Sequence, residues 1–439
     1  MNALLSCWDS RWSLTFWSDI LTSVTMYLRK KIWPLCAAAT SLIFVTLLRY
    51  IITQDLSHGF FSDLSKYPGP RGEGFNQGSL GLGDVARGLS SNFRPGSPKP
   101  PTSNYSRVMV VPHIKEEDIK WMADELPDMN ISVYVADDPS AYLHPPRNKG
   151  HEVMVYLTYI IDHYDSLPDI VLFMHAHRWT HHNNEFLGHD AVEMIRRLNN
   201  AHVIRNGYMN MRCHWGPGCP EWLHPVSTQE LLGKQEEKVL SKCWSELFPL
   251  EPMPTFLAQP CCAQFALSKE RLLAIPLGRY VFYRDWILRT PLSDYISGRI
   301  WEYSWQFVFT GQNVYCPAEH TCYCDGFGIC FGGKARYKDF LELRNTKQGF
   351  ESELEDWRDK KRIFEEAARS DNVTGLPAPD RGRHTFLNEQ IEALNKEMAV
   401  RKQNAMERGD NPKYRAEECG RRWKKGDGFW SLIRNSSHK

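Results

Sequence analysis

RVMVVPH (Arg107–His113), KEEDIKWMADEL (Lys115–Leu126), ISVYVA (Ile131–Ala136), EVMVYLTYIIDHY (Glu152–Tyr164) and IVLFM (Ile170–Met174) follow one another in the chain and alternate between two periodicities. The first, third and fifth are short, apolar and rich in β-branched residues, which reads as buried strand. The second and fourth place apolar residues at helical spacing. Strand, helix, strand, helix, strand predicts an α/β domain with a Rossmann-like, mostly parallel sheet and flanking helices, since parallel neighbours need a crossover that a helix supplies. In such sheets ligands gather beyond the carboxyl ends of the strands. Those ends carry His113, the pair Asp137 and Asp138, and His175-Ala-His177.

On the amino-terminal side lies the one long apolar run, IWPLCAAATSLIFVTLL (Ile32–Leu48), extended past Arg49 by Tyr50, Ile51 and Ile52. Its length suits a spanning helix of about 20 residues. Arg29, Lys30 and Lys31 stand directly before it, so the positive-inside bias puts residues 1–31 in the cytosol and the remainder across the membrane. The expected layout is a type II, single-pass signal anchor over 32–53, then a Pro-, Gly- and Ser-rich stalk over 54–105. A body over 106–332 follows, then a charged helical tail over 333–439 with helices near 338–369 and 387–408.

Two further features point to a lumenal, secretory-pathway body facing the Golgi or endoplasmic reticulum, and a third argues against nucleic acid as a partner. Sequons stand at Asn104, Asn130, Asn372 and Asn435. Nine of the twelve cysteines fall between Cys213 and Cys330, without the paired C-x2-C spacing of a zinc site, so disulfides are expected. With 53 basic against 52 acidic residues, no chain-wide field exists to hold a nucleic-acid backbone.

Three constellations carry chemistry. HAHRWTHHNNEF (His175–Phe186) opens at the end of the third strand; if the strand continued, His175 and His177 would present two imidazoles to one side as ligands for a divalent metal. His181 and His182 are near enough to add a ligand, and the bland alternative is polar loop histidines. Asn148-Lys149-Gly150-His151-Glu152 is a turn entering a helix, where exposed amides can hold phosphate and Glu152 favours the positive end. A plain cap uses the same letters. CCAQFALSKER (Cys261–Arg271) reads as a strand leading into a capped helix, and SGRIWEYSW (Ser297–Trp305) sets Glu302 among aromatics, where burial can tune it for general-base use. Glu302 paired with Arg299 beside core tryptophans is the competing reading. DGFGICFGG (Asp325–Gly333) lacks the strand and helix context of a phosphate loop.

NKGHE, VYLTYIIDHYDSLPD, LFMHAHR, RCHWGPGCP, CCAQFALS and SGRIWEYSW resemble a fungal domain-of-unknown-function family over about Val108 to Cys330. More distantly, the order of elements is similar to that of nucleotide-sugar glycosyltransferases of the GT-A fold. That resemblance implies nucleotide-sugar contacts from His113, Asp137, Asp138, Asn148, Gly150 and Glu152. It also implies a metal or phosphate site at His175 and His177, where HAH stands in place of Asp-x-Asp, and Glu302 as catalytic base. The expected partners are a nucleotide sugar and a lumenal acceptor. Two other functions fit the same residues: a metal-dependent hydrolase built on His175 and His177, and a non-catalytic, disulfide-stapled module.

Overall fold

Five strands form a single sheet in the order β2-β1-β3-β5-β4, with β1 Arg107–His113, β2 Asn130–Val135, β3 Ile170–Phe173, β4 Tyr208–Asn210 and β5 Phe265–Ser268. The structure is a computed structural model and describes residues 93–100, 103–227, 234–369 and 378–423. The proposed anchor at 32–53, the segment before it, most of the stalk, and the sequons Asn372 and Asn435 lie outside the described residues. Among the described residues no helix is long and apolar enough to cross a membrane.

β1 pairs in parallel with β2 and β3, whereas β5 runs antiparallel to both β3 and β4. The sheet is therefore mixed, with as many antiparallel as parallel pairings, rather than mostly parallel. β5 enters between β3 and β4 because the long excursion after β4 returns the chain to the carboxyl end of β3, and a strand starting there must run the other way.

Alternation along the strands divides the core in two. Val108, Val110, Val171, Phe173, Phe265 and Leu267 pack on one face with the helix α2 (Glu152–Asp162) and the tryptophans Trp301 and Trp305. Met109, Val111, Ile170, Leu172 and Ala266 pack on the other with Ile195, Val203, Tyr323 and Phe327. Burial on both faces explains why the strands read as continuous apolar runs.

The first helix, α1, is shorter than its pattern: it covers only Lys120–Glu125, because Glu117 caps Ile114 N at 2.8 Å and makes 114–119 a turn. On the other side of the sheet lie α3 (Ala191–Arg197) and α4 (Asn200–Asn206), while α5 (Leu277–Arg289) and α6 (Asp294–Glu302) pack with α2. α6 ends at Glu302 and a new helix starts at Trp305, so Trp301 and Trp305 belong to different helices although their ring centroids lie 4.7 Å apart.

The tail contributes α7 (Lys334–Arg369), α8 (Arg381–Gly409) and α9 (Pro412–Glu418). It is not wholly solvated: Tyr337, Phe340, Ala405 and Ala416 are buried, the first three of them in the core on the α3–α4 side of the sheet. Disulfides join Cys213 to Cys322, Cys219 to Cys316, Cys324 to Cys330, and the neighbours Cys261 and Cys262, while Cys243 and Cys419 are free.

Candidate functional site at the carboxyl edge of the sheet

The chain leaves β1 for β2 in one direction and then crosses to β3 on the other side of β1, so the order reverses between β1 and β3. Such a switch point opens a crevice beyond the strand ends. The register then decides what stands there. Phe173 of β3 faces Phe265 of β5, which faces Asn210 of β4. Residues just after β3 and β4 and just before β5 are thereby forced together.

His175 is the first consequence. Its backbone N–H donates to Gln264 Oε1 at 3.0 Å, and Gln264 Nε2 donates to Asn183 Oδ1 at 3.0 Å. The His175 ring turns inward, with Nδ1 2.9 Å from Nδ1 of His182. Burial, then the neighbouring His182, lowers the His175 pKa to about 3, and burial with His181 and Arg212 lowers that of His182 to about 4. Both rings are neutral near pH 7, so one N–H can donate between them. Nε2 of His175 is buried without a hydrogen-bond partner.

His177 goes elsewhere. β3 stops at Phe173, so the alternation that would align His175 with His177 ends before it reaches them. The exposed His177 places Nε2 3.6 Å from Glu117, whose other oxygen lies 3.5 Å from His113 Nδ1. Asp137 accepts the backbone N–H of Lys115, and Asp138 accepts from Ser140 and pairs with Lys115 at 3.0 Å. The Ser140 hydroxyl, first among several donors, holds the Asp138 carboxyl at about 2. These groups form the β1–β2 side of the edge.

Arg212, just after β4, is the second consequence. Its Nη1 lies 2.8 Å from His181 O, 3.1 Å from Cys261 Sγ and 3.3 Å from Cys262 Sγ, and Nη2 donates to Gly216 O at 2.6 Å. Cys262 N–H donates to Glu302 Oε1 at 2.7 Å, and Gln259 Nε2 donates to the Glu302 carbonyl. Arg299 stands 3.8 Å from Glu302 but bonds closely, at 2.8 Å, to the buried Glu236. Burial raises the Glu302 pKa, with the Cys262 N–H and Arg299 opposing.

Glu152 opens α2 on the same side. As a residue it keeps some solvent contact, yet its carboxylate is hemmed in by protein, and burial pushes its pKa up to about 8, with Glu302 and Asp294 adding to the rise. The turn before it needs glycine: Gly150 has φ +75°, and a Cβ there would press on Ile287. The Gly150 and His151 amides, expected to face phosphate, both donate to Asp294 of α6. At Gly298 a Cβ would come within 2.5 Å of the His151 ring, so α6 approaches α2 this closely only with glycine. Asn148 is exposed on the outer side of this turn.

The edge thus brings together His175, Glu152 and Glu302, with Gly150 bound to Asp294, and leaves His113, His177, Asp137 and Asp138 on a separate network. Spacing placed His181 and His182 within reach of the HAH pair as further ligands, but passed over Gln264, Arg212 and Asp294. The density of Cys, His, Gly and Pro after Arg212 in RCHWGPGCP is the one signal that marked its neighbourhood. Among the described residues, three potential metal ligands approach within 4.8 Å of one another only as Cys261, Cys262 and Glu302 and as Cys324, Cys330 and Glu418. Neither group contains a histidine, so a metal held by His175 and His177 finds no third protein ligand here. Asn104 and Asn130 are both exposed.

The residues described above from NKGHE, LFMHAHR, RCHWGPGCP, CCAQFALS and SGRIWEYSW converge on this edge, whereas VYLTYIIDHYDSLPD runs down α2 to the amino end of β3. A family model described as "Protein of unknown function (DUF3431)" matches residues 109–325, which span the sheet except the first two residues of β1, and all of these motifs. The chain matches no curated protein and no solved structure. Residues 109–325 of this chain belong to the domain-of-unknown-function family DUF3431.

Proposed function

We propose that the carboxyl edge of the sheet transfers a sugar from a nucleotide donor to an acceptor hydroxyl. The observation that carries this reading is the pairing of two enclosed carboxylates of raised pKa, Glu302 and Glu152, with neutral imidazoles at the β1–β3 switch point. Glu302 takes the acceptor proton as the acceptor oxygen attacks the anomeric carbon, and the nucleoside diphosphate departs. In this reading His113, Asp137 and Asp138, beyond β1 and β2, contact the nucleoside. Four disulfides suit a lumenal compartment, consistent with a type II anchor and a Golgi or endoplasmic-reticulum location.

The test is calorimetric titration of the protein with a panel of nucleotide sugars, followed by turnover assays on Glu302→Gln. Binding with turnover lowered by about 10²–10⁴-fold in the variant is expected, the span typical for loss of a general base. If no nucleotide sugar binds, the reading fails. One observation favours a non-catalytic module instead: Asp294 already occupies the amides of Gly150 and His151. That alternative gains if binding is absent and a protein partner protects this edge.

A further inference from the structure

Of the four disulfides among the described residues, three join residues 109, 97 and 6 positions apart, but Cys261 and Cys262 are consecutive. Cross-links stabilise mainly by closing loops in the unfolded chain, and a bond between neighbours closes almost none. Stability therefore does not account for this one. Its surroundings suggest chemistry. Both cysteines are buried, and both sulfurs lie within reach of the Arg212 guanidinium, at 3.1 and 3.3 Å. One oxygen of Glu302 lies 2.7 Å from Cys262 N, and the two sulfurs and a Glu302 oxygen all fall within 4.8 Å of one another. Cys262 and Ala263 have φ of +88° and +47°, left-handed conformations that are strained for non-glycine residues and cluster at functional sites.

We propose that Cys261–Cys262 is a redox-gated metal site: a dithiol reductant opens the bond, and the two thiolates with the Glu302 carboxylate then bind one thiophilic divalent cation of the zinc class. In the first step the reductant's two thiols supply two electrons and two protons, leaving two cysteine thiols and an oxidised, cyclic disulfide of the reductant. In the second step each thiol releases its proton to solvent as its sulfur binds the metal. Charge balances in the buried setting. Two thiolates and one carboxylate carry three negative charges, which Arg212 and a divalent cation cancel. Thiolate and carboxylate together are a normal donor set for zinc, and three protein ligands leave its fourth position open. Arg212 favours the thiolate over the thiol in the reduced state. The Glu302 carboxylate belongs to the metal when the pair is reduced and to Cys262 N–H when it is oxidised.

This inference goes beyond the transfer reading and stands apart from it, because its readout is sulfur chemistry rather than turnover. The full-length protein, as isolated, is alkylated without reduction and mapped by mass spectrometry. The peptide bearing Cys261 and Cys262 is expected unalkylated and lighter by two hydrogens than its dithiol form. The protein is then titrated with Cd²⁺, oxidised and after mild treatment with a dithiol, following the thiolate-to-metal charge-transfer absorption. One Cd²⁺ per chain is expected in the reduced form, displaceable by Zn²⁺, and none in the oxidised form. Cys261→Ser/Cys262→Ser, which retains the other three disulfides, is expected to lose this binding, and Glu302→Gln to weaken it by about tenfold or more. The proposal is overturned if residues 261 and 262 alkylate in the protein as isolated. It is overturned equally if the reduced wild type takes up no more Cd²⁺ than its oxidised form.

Discussion

His175, His182 and His214 are held neutral inside the body, their pKa values lowered to about 3, 4 and 3, chiefly by burial. An unfolded chain would protonate all three near pH 6.5. Between that pH and the folded values the unfolded state binds more protons, so stability falls as pH falls. Glu152 has the opposite sign: raised to about 8, it keeps a proton in the folded state that the unfolded chain has lost. Its contribution is full below about pH 4.5 and is lost as pH rises toward 8. Above the histidine range Glu152 and Glu302 remain, the latter also raised. We expect urea midpoints to drop on acidification from pH 6.5, less so in His175→Asn. Above pH 6.5, where the histidines no longer contribute, a decline as pH rises toward 8 is expected to flatten in Glu152→Gln. Unchanged slopes in both variants would show that neither group is enclosed as described.

At the scale of elements, α7 shows how a largely charged helix is fixed at one end. Its 36 residues bury only Tyr337, Phe340 and Leu354, and pairs such as Lys338–Glu342 and Lys361–Glu365 dress its solvent side. Tyr337 and Phe340 lie one turn apart on the face that meets Phe186 and Phe331, with Phe340 ring centroids 5.1 and 4.6 Å from these partners. Such aromatic contacts dominate core energetics. Phe340→Ala is expected to cost about 3–5 kcal/mol in chemical denaturation, a value typical of a buried phenylalanine. Substitution at the outer end, such as Ile363→Ala, is expected to be near neutral, since Ile363 is exposed. The charged spacing at 338–369 announced a helix, but a hydrophobic pair near its start, in Arg336-Tyr337-Lys338-Asp339-Phe340, was too short a pattern to reveal docking.

At the scale of the molecule, Asp325 ties together the body and the chain's last described residues. It is buried, accepts from His202 and Arg205 at 2.7 Å each, and pairs with Arg421; Arg415 donates to its carbonyl. Burial by itself would raise its pKa, but His202, Arg205 and Arg421 pull it well below the usual carboxylate range. Removing one member of such a buried network leaves the others uncompensated. Asp325→Asn is expected to lose about 3–5 kcal/mol, read by denaturation, and to make residues 410–423 the first sites of protease cleavage. A loss below about 1 kcal/mol would mean that the cluster behaves like an exposed ion pair.

Local periodicity determined the first three strands, α2, the capped helix after β5 and the two long tail helices, because their apolar spacing is decided within a few residues of chain. Cysteine spacing pointed to disulfides for the same local reason. Tertiary structure alone decided which partners meet. β4, only three residues long, leaves no pattern, yet it sets Arg212 against Cys261 and Cys262. The antiparallel entry of β5 places Gln264 under His175, and the end of β3 at Phe173 separates His175 from His177. Registers between strands far apart in sequence depend on the packing of both faces of the sheet together, and no window of residues contains that information.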